Sequence, residues 1–202
     1  MRYADATGPK GGRHRLRQAW RVDRHGESAR FAQHQGLANR RLLWHGTGVA
    51  VVAAILKSGL RIMPHSGGRV GRGIYLADML EKSASYVRPS TTPAGLGRPS
   101  QGQSAVLFLV EAALGDWHVV TEDGPHASGL TQAPAGYQSV LAMGARAPPR
   151  AGDAALAIEG LPVAVPQADP QPTGVQSSFA HNEYLVYEES QHRIRYVCLF
   201  DW

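Results

Sequence analysis

The stretch Arg41-Leu42-Leu43-Trp44-His45-Gly46-Thr47 constrains this chain more than any other. An apolar run ends on a histidine, and a glycine and a hydroxyl residue follow at once. Val49-Ala50-Val51-Val52-Ala53-Ala54-Ile55-Leu56 comes next and closes on Lys57-Ser58-Gly59. The pattern predicts a strand that delivers His45 to its end and an apolar, buried helix that leaves from it, with Thr47 as its cap. Strand ends that face helix starts are places where ligands are held. Gly46 lets a flat group approach the backbone closely. A lone histidine after a strand is more often structural than functional, so the rest of the chain has to decide.

Length and charge narrow the field. With 202 residues the chain can bury one substantial core. No apolar run is long enough to span a bilayer, and the opening Met1-Arg2-Tyr3-Ala4-Asp5 is polar, unlike a signal peptide. The single cysteine, Cys198, stands in an apolar run and reads as a buried, inert thiol in a reducing compartment. No His-Glu-x-x-His and no Cys-x-x-Cys occurs, so a metal site is not expected. The net charge of +5 is concentrated early, where Lys10, Arg13, Arg15, Arg17, Arg21, Arg24, Arg30, Arg40 and Arg41 face only Asp23 and Glu27. A polyanion would be drawn there. A solvated basic face is the simpler reading, because no aromatic residues interleave the charges as a single-strand binder requires.

Taken in order, residues 1–12 read as disordered and residues 14–23 as an edge strand. A turn at 24–27 and a short helix within 27–37 follow. Pro64 to Gly73 forms a Gly-rich loop, either a surface loop or a lid lined by Arg69 and Arg72. It is not a phosphate loop, because Gly68-x4-Gly73 is followed by Ile74. Nor is it a dinucleotide fingerprint, because Leu76 holds the third glycine position. Ile74 to Ala77 is a strand, and Asp78 caps a helix that runs from Met79 to Val87. On that helix Met79, Ser83 and Tyr86 share one face, so a ring and a hydroxyl could read a small aromatic amide. A core tyrosine with a solvated serine would fit as well.

Residues 88–104 read as a long loop, and Ala105 to Leu114 as a central strand continued by Trp117 to Val120. Residues 121–137, 144–154 and 166–178 read as loops. Ala155 to Ile158 and Val163 to Val165 form a hairpin about Glu159-Gly160-Leu161-Pro162. Two last strands, Asn182 to Tyr187 and Arg195 to Phe200, are separated by a turn near Glu189 to His192. Alternation places Glu183, Leu185 and Tyr187 on one face. Glu183 is then either at a strand end in water or aimed into a cleft. Many short strands and few helices, without regular alternation of the two, predict an α+β fold.

Three motifs occur in order. They are Leu43-Trp44-His45-Gly46-Thr47, then Gly71 to Asp78 with Lys82-Ser83-Ala84-x-Tyr86, then Asn182-Glu183-Tyr184-Leu185-Val186-Tyr187. Together with Gly59-Leu60-Arg61-Ile62 they resemble the catalytic domain of the poly(ADP-ribose) polymerase family, over residues 18–202. Within that family the stretch from Ala50 to Gly71 looks most like a mono-transferring member of the DNA-dependent branch. The resemblance implies an ADP-ribosyltransferase fold of two packed, mainly antiparallel sheets with a few helices. Residues 1–17 would be a disordered or partial N-terminal segment ahead of it.

It also implies a His-Tyr-Glu triad at His45, Tyr75 and Glu183, and NAD+ as a consumed substrate rather than a cofactor. His45 would hold the adenosine ribose, and Tyr75 and Tyr86 would sandwich the nicotinamide. Gly46 and Ser83 would bond its carboxamide. Thr47 would lie in the same NAD+ site, Arg61 would face the adenosine and pyrophosphate, and Lys82 would sit near Glu183. Implied partners are protein acceptors, the chain itself among them. DNA ends would be reached only through regions that this chain lacks, so it would be a fragment, a truncated product or a stand-alone enzyme. The implied location is the nucleus, and the implied context is the response to DNA damage. The alternatives are a chain-forming polymerase, a module that holds NAD+ or ADP-ribose without chemistry, and a nucleic-acid binder that uses the basic N-terminal stretch.

Overall fold

The computed structural model describes residues 2–10, 14–65, 67–88, 90–91 and 103–202. The expected loop at 88–104 falls mostly outside them. In chain order the elements are α1 (Arg2–Thr7), β1 (Arg15–Arg21), α2 (Glu27–Ala32), β2 (Arg40–Gly46), α3 (Val49–Ser58), β3 (Ile74–Leu76) and α4 (Leu80–Ala84). Then come β4 (Ser90–Thr91), β5 (Gln103–Ala113), β6 (Trp117–Val120), α5 (Pro125–Ser128), β7 (Ser139–Ala142), β8 (Arg146–Ala147) and β9 (Ala154–Ile158). The last are β10 (Leu161–Val165), β11 (Gln171–Pro172), β12 (Glu183–Val186) and β13 (His192–Asp201).

Two main sheets carry the fold. The larger runs β1-β13-β5-β2-β10-β9, with β4 paired to β5, and the smaller runs β3-β12-β7-β6. Most pairings are antiparallel; β2 with β10 and β6 with β7 are parallel. The expected α+β class and the two mainly antiparallel sheets are what the chain forms. The strand expected to be central, β5, lies between β13 and β2, and it is buried almost throughout because both of its faces are covered. One face packs Leu107 and Leu109 with Trp44, Cys198 and Phe200. The other packs Phe108 and Val110 with Leu43, Tyr184, Val186 and Ile194, and so joins the two sheets.

Several expectations are corrected. Residues 2–7, expected to be disordered, form α1, which buries Tyr3 against Trp44, ring centroids 5.1 Å apart, and Thr7 Oγ1 accepts the Leu80 amide at 3.2 Å. The buried Tyr3 and the Thr7 hydroxyl, which also donates to the Tyr3 carbonyl at 2.7 Å, tie a six-residue helix too short to stand alone to the start of α4. The apolar helix α3 buries no residue; Val49, Val51 and Leu56 are exposed, and only Val52 and Ile55 pack partly on the core. Gly48, not Thr47, stands at its N-cap, without a side-chain hydrogen bond.

Strand β6 does not extend the sheet of β5. Its chain turns at Gly115 (φ 56°) and enters the other sheet beside β7. The β9–β10 hairpin turns on Glu159 and Gly160 alone, both at positive φ, so Leu161 and Pro162 belong to the strand. The two C-terminal strands lie in different sheets. Arg40 and Arg41 are not on a solvated face. Arg40 is buried against Glu111 at 2.9 Å, and Arg41 against Asp153 at 2.7 Å.

Candidate active site

Where β2 ends, β3 and β12 run side by side, with Leu185 opposite Tyr75. Trp44 and Ala77 exchange backbone hydrogen bonds at 2.8 and 2.9 Å, which brings the end of β2 against the end of β3. Helix α4 follows directly and lays its residues across the mouth. The result is a cavity of about 300 Å³ lined by His45, Gly46, Gly67, Gly68, Arg69, Gly73, Tyr75, Leu76, Ala77, Lys82, Ser83, Tyr86 and Glu183. Every residue of the expected triad lines it, as do Gly46, Lys82, Ser83 and Tyr86.

Glu183 is only 5% exposed, so of its two readings the cleft holds and the solvated strand end does not. Lys82 Nζ lies 2.8 Å from Glu183 Oε1 and donates to Tyr86 Oη at 2.9 Å. Burial works against the Lys82 charge, but the bonds to Glu183 and Tyr86 hold its pKa above the ordinary lysine value. A cation thus stands fixed beside the carboxylate.

His45 Nδ1 donates to the Tyr75 carbonyl at 2.9 Å, since a carbonyl can only accept. Burial pulls its pKa below the ordinary histidine value, although that bond opposes the shift. The ring is therefore neutral near pH 7, with Nε2 as its acceptor. Burial pushes the Tyr75 phenol up to about 12, so it stays an O–H. It donates to the Gly71 carbonyl at 2.7 Å and accepts from the Val70 amide at 3.1 Å, which fixes the ring under the Gly-rich loop.

Two glycines in the lining are steric requirements. A Cβ on Gly46 would stand 1.9 Å from the Ser83 carbonyl oxygen, so β2 and α4 can touch only through glycine. A Cβ on Gly68 would stand 2.4 Å from the Tyr75 hydroxyl.

Not every expected residue is gathered. Thr47 and Arg61 lie outside the lining; Arg61 pairs with Glu189 at 2.9 Å on the surface. Asp78 does not cap α4, whose N-cap is Met79. Asp78 is buried, and its carboxylate accepts from Asn182 and Tyr184. The helix itself is shorter than expected, ending at Ala84, with Tyr86 in the turn beyond it and more than half exposed at 57%. Met79 belongs to the core and not to the pocket. Arg69 is no free lid residue: it pairs with Asp123 at 2.9 Å, donates to the Ser178 carbonyl and hydroxyl, and covers the Phe179 ring at 4.3 Å. The sequence carries no signal for Asp123 or Ser178 as its partners, since both lie far along the chain. Burial pushes the Cys198 thiol up to about 12, as an inert thiol requires.

A two-sheet α+β fold with a carboxylate–lysine pair facing a neutral histidine across an aromatic-walled cavity defines a class. The poly(ADP-ribose) polymerase catalytic domain matches residues 1–201, and the chain belongs to that family. Among its relatives, the protein mono-ADP-ribosyltransferase PARP3 of Mus musculus is 53% identical over 184 residues, 90% of this chain and 33% of that protein. Its namesake in Homo sapiens is 46% identical over 197 residues, 96% of this chain and 35% of that protein. Poly [ADP-ribose] polymerase 1 of Gallus gallus is 36% identical over 186 residues, 89% and 17% of the two chains. The chain thus spans about a third of the length of the PARP3 relatives.

Proposed function

We propose that this chain is the catalytic part of an NAD+-dependent protein ADP-ribosyltransferase that attaches single ADP-ribose units. The observation that carries the reading is the buried Glu183–Lys82 pair at 2.8 Å within the cavity. NAD+ is consumed, not recycled. The bond between ribose C1′ and the pyridinium nitrogen breaks, and nicotinamide leaves with the electron pair. The oxocarbenium-like C1′ is stabilised by the Glu183 carboxylate, which also orients the ribose hydroxyls. A nucleophile on a protein acceptor then attacks C1′ and gives up its proton. The assignments are those the motifs implied: Tyr75 and Tyr86 hold the nicotinamide ring, Gly46 and Ser83 its carboxamide, and His45 Nε2 an adenosine-ribose hydroxyl. Thr47 and Arg61 would meet the substrate only at its outer, adenosine end. We read residues 2–202 as one catalytic unit, with α1 as part of it.

Transfer of single units follows from the acceptor side. His181 stands two residues before Glu183, and Gly68-Arg69-Val70 precedes the Gly-x-Gly-Ile-Tyr stretch. Neither place offers the aromatic platform on which an incoming adenosine would stack, and Arg69 is already engaged by Asp123. The names of the PARP3 relatives agree. A nuclear location, a link to DNA damage and self-modification belong to the same proposal, by kinship. The test is incubation with labelled NAD+, followed by phosphodiesterase digestion of the labelled protein. Terminal units alone support single transfer. Internal repeat fragments indicate a polymerase, and reversible retention without covalent label indicates a binding module.

A further inference from the structure

Asp78 stands two residues past the end of β3 and is 1% exposed, yet it lies outside the cavity lining. Its Oδ2 accepts from Asn182 Nδ2 at 2.7 Å and from the Tyr184 hydroxyl at 3.0 Å. Those two residues bracket Glu183. On an extended chain their side chains leave from the face opposite to that of Glu183. One carboxylate oxygen therefore holds both neighbours of Glu183 from behind, while Glu183 itself faces Lys82. Asn182 carries the constraint further, since its Oδ1 accepts from the Gly144 amide at 2.8 Å, just past β7.

This arrangement is costly. Among the described residues Asp78 Oδ1 is buried without a hydrogen-bond partner, and burial pushes the carboxyl up to about 6. Arg41, whose positive charge favours the Asp78 carboxylate, is itself paired with Asp153. A position needed only for packing would be better served by an apolar residue. The β3–β12 ladder already registers the strands through Tyr184 with Leu76 and Leu185 with Tyr75. That ladder starts at Tyr184, and on the other edge the β7 ladder ends at Glu183 opposite Ala142, so Glu183 is the last paired residue and Asn182 lies beyond both ladders.

We propose that Asp78 is a positioning residue, which clamps Asn182 and Tyr184 so that the Glu183 carboxylate is held against Lys82 and at the reacting ribose carbon. This rests on the reading of Glu183 given under Proposed function.

The test compares the wild type with Asp78→Asn, with Tyr184→Phe and with the exchange Asp78→Asn/Asn182→Asp. In the exchange the amide nitrogen that takes the place of Asp78 Oδ2 would donate one hydrogen to the carboxylate placed at position 182 and the other to the Tyr184 hydroxyl oxygen, whose own proton would go to that carboxylate. That carboxylate would keep the Gly144 amide, so the three contacts are kept with the donor and acceptor roles at position 78 reversed. Turnover and KM for NAD+, the affinity for benzamide, and the 13C carboxyl resonance of Glu183 (assigned by its loss in Glu183→Gln) are measured. Asp78→Asn is expected to lower kcat by about 10- to 100-fold, with benzamide affinity within about twofold. Tyr184→Phe should give a smaller loss in the same direction. The exchange should recover kcat to within about threefold of wild type and return the Glu183 resonance to its place.

An unchanged kcat in Asp78→Asn overturns the proposal. So does benzamide affinity falling in step with kcat, and so does an exchange that regains the melting temperature but not kcat. If the wild-type chain turns over no NAD+, the resonance decides: a Glu183 signal unmoved in Asp78→Asn sinks the clamp, and a moved one upholds it while the transfer reading alone fails.

Discussion

Lys82 Nζ bridges Glu183 Oε1 at 2.8 Å and the Tyr86 hydroxyl at 2.9 Å, so one ammonium fixes both the carboxylate and an aromatic wall of the cavity. Lys82 and Tyr86 come from α4 and the turn after it, Glu183 from β12. The pair therefore reports whether the two are in register.

If Glu183 stabilises positive charge at C1′, Glu183→Gln keeps the shape and removes the charge. Turnover should fall by about 10²- to 10³-fold, while NAD+ affinity stays within about threefold. Steady-state kinetics with a parallel binding titration check this. A loss confined to binding would give Glu183 a different role.

The amide end of the cavity depends on how closely β2 and α4 approach. Ser83→Ala should weaken benzamide binding by about 1 kcal/mol, and Tyr86→Ala by a similar amount through lost ring contact. Gly46→Ala should do more than either. Its methyl group would meet the Ser83 carbonyl oxygen at 1.9 Å and force α4 away, with a stability loss of about 1–3 kcal/mol. Calorimetric titration and thermal melts measure both. Normal benzamide affinity in all three variants would place the amide site elsewhere.

Glu111 is buried between two guanidiniums, accepting from Arg40 Nη1 at 2.9 Å and from Arg195 Nε at 2.6 Å. Glu111→Gln leaves both cations buried with their shared charge gone. A loss of about 3–5 kcal/mol in denaturant unfolding is expected, with the Arg195–Glu159 contact as partial relief.

His192 is buried with neither ring nitrogen hydrogen-bonded among the described residues, and burial pulls its pKa down to about 3. The folded chain therefore binds fewer protons at this site than the unfolded chain between about pH 3 and 6.5. Its contribution to stability is complete above pH 6.5 and is lost as pH falls, by about 1.4 kcal/mol per pH unit. Asp78 acts in the opposite sense. Its raised carboxyl takes up a proton in the fold first, so stability at that site declines as pH rises from 3.8 towards 6. The measurement is thus a difference: His192→Met should flatten the acid side of the stability profile relative to wild type. Parallel profiles would mean that His192 finds a proton partner in solution.

Much of the site is legible in the sequence because its residues are local to strand ends and carry unusual chemistry. His45 ends an apolar run, Tyr75 stands inside a short one and Glu183 begins one, and the alternation around Glu183 already offers the cleft as one reading. What is illegible depends on partners distant in sequence. Asp78 has the sequence context of a helix cap, and only the arrival of Asn182 and Tyr184 makes it a clamp. Arg69 looks like a free cation, because Asp123 and Ser178 give no sign of lying beside it. The apolar run of α3 reads as buried since periodicity does not say what covers a face. The six residues of α1 are too short for any pattern.

Strand β12 is hydrogen-bonded along both edges, to β3 on one side and β7 on the other. Side chains on such a strand alternate, so sliding it by one residue would put Tyr184 in the cavity and Glu183 in the core. Length changes along the chain are therefore unequal in consequence. Residues gained or lost in the turn from Glu188 to Gln191, or between Val165 and Gln171, can be absorbed outside the ladders. A single residue inserted between Asn182 and Val186 would exchange the inside and the outside of the molecule at its acidic cavity wall, and no rearrangement of the surrounding loops could undo it.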